Sequence, residues 1–210
     1  MLITVDGADG VGKSTQAKLL SEWFKSKNIS HVLTKEPGGA TKECQKIREL
    51  LLNPENNISP RAEFFLYLAD RAEHVEKCII PALNKKQWVI SDRYIDSTKV
   101  YQGIGRGLGI GNIEEMIKFA SFGVEPDLTF IMDADTESVL SRAKKSNVEF
   151  KGGDRMEREN FDFHNKLRFG FLELAKTHER YRVLDATKSI EEIHEQVRQV
   201  FKNLLGKNFI

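Results

Sequence analysis

MLITVDGADGVGKSTQAKLL, residues 1–20, runs from four strand-forming residues (Leu2–Val5) through three glycines and a lysine into an amphipathic helix. Within it GADGVGKS, Gly7 to Ser14, fits G-x-x-x-x-G-K-[ST] at every position, after a strand and before a helix, as the motif requires. Gly7, Gly10 and Gly12 let the backbone around Ala8, Asp9 and Val11 curl until successive N–H groups face an anion. The helix that follows adds the positive end of its dipole. Lys13 supplies a point charge for the outer phosphates, and the Ser14 hydroxyl suits Mg2+. Thr15 has the weaker case, because helix-start chemistry alone explains it. Residues 7–15 therefore predict a nucleoside triphosphate site. They do not separate a switch, a motor and a kinase. Asp9 sits oddly in a loop built to hold anions.

Working outward, short apolar runs alternate with helical periodicity. Leu2–Val5, His31–Thr34, Trp88–Ser91, Leu128–Met132 and Tyr181–Asp185 read as strands, several of them apolar throughout, as strands covered on both faces are. Helical patterns fill the gaps: Ser14–Ser26, Thr41–Leu52, Ala62–Leu83, Ile113–Phe122, Thr136–Lys145, Phe161–His178 and Ile190–Leu205. Asn112, Asp135 and Ser189 stand where N-caps belong. Strand and helix in alternation predict an α/β fold with a mainly parallel sheet, whose ligands bind just after the strands.

The chain has 210 residues, 40% apolar and 30% charged, which predicts one domain spanning 1–210. A net charge of +1 excludes bulk electrostatic attraction to nucleic acid. Cys44 and Cys78 are too few and too far apart for a disulfide framework or a zinc site. No apolar run reaches membrane-spanning length, and acidic Asp6 and Asp9 interrupt any signal-peptide pattern at the start. The expectation is a cytoplasmic chain with neither a membrane nor a nucleic-acid partner.

After the third strand comes SDRYIDSTKVYQG. A carboxylate at Asp92 can hold Mg2+ directly or through water, and Arg93 can fork onto a second phosphate. A surface ion pair is the plainer reading. A switch GTPase would need D-x-x-G here and N-K-x-D later, and neither follows. Gly103–Gly109 reads as a loop that yields to substrate; as a second nucleotide site it lacks a preceding strand. After the second strand TKEPGG forces a turn, and Arg48 lies on the helix beyond. In AEFFLYLADRAEHV most apolar residues are core. Tyr67 and Arg71, at i and i+4, share a face and suit a planar base. Arg142, Lys144, Lys145, Lys151, Arg155 and Arg158 make a basic stretch with Gly152 and Gly153 inside it. Beside a triphosphate site this predicts a cationic lid, residues 146–159, more than a solvated loop.

With these motifs in hand, the sequence resembles the thymidylate kinase family in its bacterial form, over nearly the whole chain. GADGVGKST, TKEPGGAT, FFLYLADRAEHV, SDRYIDSTKVYQG, VEPDLTFIMD and DRMERENFDF stand in the family's order. The resemblance implies a five-stranded parallel sheet, a lid, a homodimer packed through helices, and the reaction ATP + dTMP → ADP + dTDP with Mg2+. It implies that Asp9 lies near the acceptor sugar and that Arg93 and Arg48 bind the acceptor phosphate. Glu36, Pro37 and Ser97 belong to the same acceptor site. Tyr67, where many members have phenylalanine, stacks on thymine; Arg71 reaches a thymine carbonyl; Thr98 and Gln102 border the base; Tyr101 crowds the 2′ position. Arg142 and the segment Asp185–Lys188 flank adenine. Some members carry a catalytic arginine directly after the loop aspartate. Gly10 stands there, so the resemblance moves that charge to the lid, with Arg155 the first candidate and Arg158 or Lys151 the others. Lys13, Asp92, Arg93 and Arg155 form the implied catalytic set, with Ser14 and Asp92 at the metal. The acceptor is already an anion, so no general base is required. A kinase for another nucleoside monophosphate, and a nucleotide-binding regulatory module without turnover, are the alternatives.

Overall fold

The structure, a computed structural model, describes residues 1–139 and 153–205. Its sheet has five parallel strands in the order β2-β3-β1-β4-β5: β1 (Leu2–Gly7), β2 (His31–Lys35), β3 (Trp88–Asp92), β4 (Leu128–Asp133) and β5 (Tyr181–Asp185). Every residue of central β1 is buried, as expected of a strand with neighbours on both edges and helices on both faces. Register places Val5 beside Asp92 and Gly7 beside Met132, so the loop after β1 opens next to the end of β3.

Strand alternation sorts β1 by face. Ile3 and Val5 join Leu20 and Phe24 of α1 (Lys13–Ser26) and Val197 and Phe201 of the last helix (Ile190–Leu205) in one core. On the other face Leu2 packs with Phe64 and Leu68 of α3 (Pro60–His74) and Ile113 and Ile117 of a helix over Ile110–Ala120. Thr4 and Asp6 also lie on that face, both fully buried. The remaining elements are α2 (Lys42–Leu52), α4 (Ile80–Asn84), α5 (Ile95–Thr98) and α7 (Phe161–Ala175). The helix Ile110–Ala120 is α6, and Ile190–Leu205 is α8.

Four local expectations change. The predicted helix Ala62–Leu83 is α3 and α4 joined by a π-turn, Val75–Ile79; Pro81 cannot donate to Lys77 and crowds its carbonyl, which a wider turn relieves. Gly103–Gly109 is not a loose loop in its first half: Lys99–Gly105 is π-helical, and a Cβ on Gly105 would lie 2.8 Å from Phe163 and Leu167 of α7. That glycine serves close helix packing. Asn112 is not an N-cap, because α6 begins at Ile110 behind Gly109 (φ 80°) and Asn112 Nδ2 donates back to Leu108 O. Helix α7 ends at Ala175, short of His178. The caps at Asp135 and Ser189 are formed, the second as a reciprocal Ser189–Glu192 box. The helix predicted from Thr136 is described only over residues 136–139; its remainder, with Arg142, Lys144, Lys145, Lys151 and Gly152, lies outside the described residues.

Candidate active site

One cavity of about 870 Å3 opens at the C-terminal ends of β1, β2 and β3. Its floor is the loop after β1. Gly7 (φ 137°) has no room for a side chain, since a Cβ would stand 2.5 Å from Met132 O; Gly10 and Gly12 have φ of 79° and 95°. Gly7 and buried Ala8 shape the loop without lining the cavity, while Asp9 through Thr15 line it. Lys13 Nζ curls over the loop to donate to Ala8 O (2.5 Å) and stands 4.0 Å from Asp9 Oδ1. Burial first, and then the Arg93 charge, push Lys13 down to about 8 against the opposing pull of Asp9, Asp92 and Asp6. Phosphate oxygens arriving there would supply the missing counter-charge.

The metal fit rests on Ser14 and Asp92. The Ser14 hydroxyl donates to Asp92 Oδ2, while the other carboxylate oxygen, Oδ1, is buried without a partner. A hydroxyl and a carboxylate with a spare oxygen, beside a phosphate loop, are hard donors of the kind Mg2+ takes together with phosphate oxygens. Among the described residues no cluster of three His, Cys, Asp or Glu side chains competes for a metal.

Arg93 occupies the left-handed region (φ 72°) at the end of β3, a strained conformation that turns its side chain back over the loop. Ser91 Oγ fixes it by donating to Arg93 O (2.7 Å). The guanidinium donates to Gly7 O (3.0 Å), Ser97 Oγ (3.1 Å), Tyr101 OH (3.2 Å) and Asp9 Oδ1. Tyr101 OH donates in turn to Asp9 Oδ2 (2.7 Å). Burial alone would raise the Asp9 carboxyl, but Arg93 and Lys13 outweigh it and hold it low, so it is an anion. Asp9 thus binds the phosphate loop to the residues across the cavity, which removes the oddity of its position.

The far wall carries Tyr67 and Arg71 of α3, both lining the cavity. Arg71 is 1% exposed and tightly held: Nε donates to Glu36 Oε2 (3.0 Å), and Nη2 donates to Thr98 Oγ1 (2.9 Å) and Tyr94 O (3.2 Å). Its Nη1 is buried without a partner. Pro37 and Arg48 line the same wall, with Arg48 Nη1 donating to Pro37 O (3.2 Å). Ser97 and Gln102 line it too; Ser97 Oγ donates to Asp6 Oδ1 (2.6 Å), and Gln102 Nε2 donates to Glu63 Oε1 (2.8 Å). Lys188 lines the opposite end.

Arg155 is not brought to the cavity. Its Nη1 donates to Glu63 Oε2 (2.7 Å) and its Nε to Leu51 O (2.7 Å), while its neighbours Asp154, Met156 and Glu157 do line the opening. The cause is Glu63, a fully buried carboxylate that also receives Arg106. Glu63, Asp6 and His74 all support this site without being candidate site residues in the sequence. For His74 a signal was present: with Tyr67 and Arg71 it completes an i, i+4, i+7 face.

Comparison with known proteins places the chain in one family. The family model for thymidylate kinase matches residues 5–197. A thymidylate kinase of Carboxydothermus hydrogenoformans is 48% identical over 204 residues, 97% of this chain and 98% of that one. One from Halothermothrix orenii is 42% identical over 99% of both. The crystal structure of a thymidylate kinase from Ehrlichia chaffeensis superposes with a TM-score of 0.78 at 33% identity, covering 96% of this chain and 98% of that one.

Proposed function

The chain belongs to the thymidylate kinase family, and on that premise we propose that it transfers the γ-phosphoryl group of ATP to dTMP, giving dTDP and ADP. The observation that carries this reading is the continuity of one cavity from the phosphate loop, past Arg93, to the Tyr67–Arg71 wall.

ATP phosphates lie on Asp9–Thr15 with Lys13 over them, and Lys188 borders adenine. Arg142 belongs to the same end by resemblance. The dTMP base stacks on Tyr67 with Arg71 Nη1 free to donate to a base carbonyl. Glu36 and Thr98 hold Arg71 in place, Gln102 and Ser97 border the pocket, and Arg93 with Arg48 takes the acceptor phosphate. Pro37 fixes the position of Arg48 through its carbonyl. Ser14 and Asp92 would hold Mg2+, which supplies positive charge to the phosphates when bound. The acceptor phosphate is already anionic, so the residues align it and neutralise charge without abstracting a proton. The remaining cation comes from the lid expected over 146–159, of which 146–152 lie outside the described residues: Arg155 enters by exchanging Glu63 for the phosphoryl group.

We also assign the homodimer contact to the α3/α6 face, where Phe65, Met116 and Phe119 are exposed, Phe119 to 87%. A single domain over 1–210 and a cytoplasmic location complete the reading. The two free cysteines fit a reducing compartment, and no helix among the described residues is long and apolar enough to cross a membrane.

Release of ADP, followed by a coupled assay with dTMP, dUMP, UMP, CMP and thymidine as acceptors, tests the proposal. Turnover with dTMP far above the rest is expected. Turnover with a different acceptor alone would move the specificity. Tight ATP binding with no turnover would make the chain a binding module.

A further inference from the structure

Arg71 owes its direction to a chain of contacts that begins at the cavity wall with Glu36 and ends behind it at His74, which does not line the cavity. Glu36, on the turn after β2, uses both oxygens: Oε2 accepts from Arg71 Nε, and Oε1 accepts from His74 Nδ1 at 2.8 Å. His74 is fully buried, one turn below Arg71 on α3. Its Nε2 lies 2.7 Å from Thr34 Oγ1, whose own proton is directed at Gly39 O (3.4 Å). Nδ1 donates to Glu36 in either protonation state of the ring, and with the ring held as a cation by its surroundings Nε2 donates to the Thr34 hydroxyl as well. The result is a row of alternating charge, imidazolium, carboxylate and guanidinium, running from the α3 interior to the cavity wall.

We propose that His74 is a positioning residue for acceptor recognition: it pins Glu36, which fixes the angle at which Arg71 presents its unpartnered Nη1 to the base. The proposal rests on dTMP being the acceptor. The surroundings agree with a charged ring. Burial disfavours the cation, yet the Cys78 thiol and Glu36 push His74 up to about 9. The nearby Asp70 carboxylate, whose Oδ1 accepts from Gly38 N (2.9 Å), ties the same turn to α3. Without the imidazolium, one oxygen of a buried carboxylate loses its partner, and the carboxylate is free to swing toward the cavity with Arg71 attached.

The specificity consequence is distinct from a loss of folding. A guanidinium held at a fixed angle favours a pyrimidine with a carbonyl at C4 and rejects one with an amino group there, because donor would meet donor. Kinetics of the full-length chain carrying His74→Gln test this. The dTMP KM is expected to rise about 10- to 100-fold, the span of a lost charge-assisted hydrogen bond. The ATP KM and kcat should stay within about threefold, and the dTMP-over-dCMP preference in kcat/KM should shrink. A folded variant with wild-type dTMP KM and preference overturns the proposal. So does a fall in kcat for every acceptor at unchanged KM, which is what a merely structural role gives. If His74→Gln melts below assay temperature by circular dichroism, Thr34→Val decides. It removes the Nε2 partner together with the long contact to Gly39 O and leaves the His74–Glu36 pair in place, and should move the dTMP KM in the same direction by a smaller factor; no movement overturns the proposal. Failure of the wild-type chain to phosphorylate dTMP would instead defeat the acceptor assignment, before any variant is made.

Discussion

Arg93 and Asp9, 84 residues apart in the chain, form a salt bridge that joins the end of β3 to the phosphate loop. The same guanidinium touches Gly7, Ser97 and Tyr101, so its planar fork uses several directions at once. A lysine has one compact head and cannot reproduce that geometry. Arg93→Lys should therefore lose about 100-fold or more in kcat/KM for dTMP, the usual cost of a positioned donor at a phosphoryl or acyl centre. The ATP KM should change little. Near-normal steady-state kinetics in Arg93→Lys would mean that only the charge matters there.

Lys13 makes affinity and stability respond to pH in opposite senses. Its folded value is depressed to about 8 from 10.5. Between those two pH values the unfolded chain holds the extra proton, so the contribution of Lys13 to stability rises with pH. ATP affinity should fall over the same window, because the deprotonated amine offers no charge to phosphate. Calorimetric titration with a non-hydrolysable ATP analogue between pH 7 and 9.5 should show progressive weakening. Lys13→Met should bind weakly with a flatter profile and lose most turnover. Parallel profiles in the two proteins would remove Lys13 from phosphate binding.

Asp6 is a buried carboxylate whose oxygen Oδ1 accepts from Ser97 while Oδ2 has no partner. Burial, and then Asp96, push it up to about 6 from 3.8. The folded state binds more protons between those values, so stability from this group falls as pH rises through the window, and the penalty is complete above pH 6. Asp6→Asn lacks that dependence. The melting temperature of Asp6→Asn relative to wild type should climb by a few degrees from pH 4 to pH 7, corresponding to about 1–3 kcal/mol. Activity should drop at the same time, because Ser97 and Arg93 lose a charged anchor. A difference in melting temperature independent of pH would show that Asp6 titrates normally.

The fold was legible from residues 1–20 and the spacing of the apolar runs, because strand burial and helix periodicity are local properties of sequence. Phosphate-loop residues were legible for the same reason: their roles are set by backbone geometry within eight positions. What could not be read was pairing across the chain. Glu63 gives no sign in sequence that it faces Arg106, Arg155 and Gln102, and Glu36 gives none that it bridges Arg71 and His74. The glycines at 103–109 misled because flexibility and close packing have the same composition; only the approach of α7 to Gly105 tells them apart.

Arg155 is held by Glu63 and the carbonyl of Leu51, and one of its terminal nitrogens, Nη2, is buried without a partner. If it exchanges Glu63 for the transferring phosphoryl, its charge acts mainly in the transition state. Arg155→Ala should then reduce kcat about 100-fold or more while the dTMP KM stays near its wild-type value. A lower melting temperature with intact kcat would instead fix Arg155 as the anchor of the lid to α2, leaving Arg158 or Lys151 as the lid cation.

Tyr101 separates shape from hydrogen bonding within one side chain. Its ring is 5% exposed and packs edge-on against Phe163 and Phe171 of α7, with centroids 6.3 and 6.2 Å away. Its hydroxyl donates to Asp9 Oδ2 and accepts from Arg93. Tyr101→Phe keeps the ring, so any crowding of the sugar 2′ position should persist and the preference for dTMP over its ribose counterpart should hold. Removal of the hydroxyl takes away the partner of Asp9 Oδ2, leaving Arg93 and the more distant Lys13 on Oδ1, and lets the carboxylate rotate. A loss of about 10- to 100-fold in kcat/KM for dTMP is expected, the span of one hydrogen bond to a charged group. Loss of sugar discrimination in this variant would place the hydroxyl, and not the ring, against the sugar. That result would also require Asp9 to release Tyr101 when the acceptor binds.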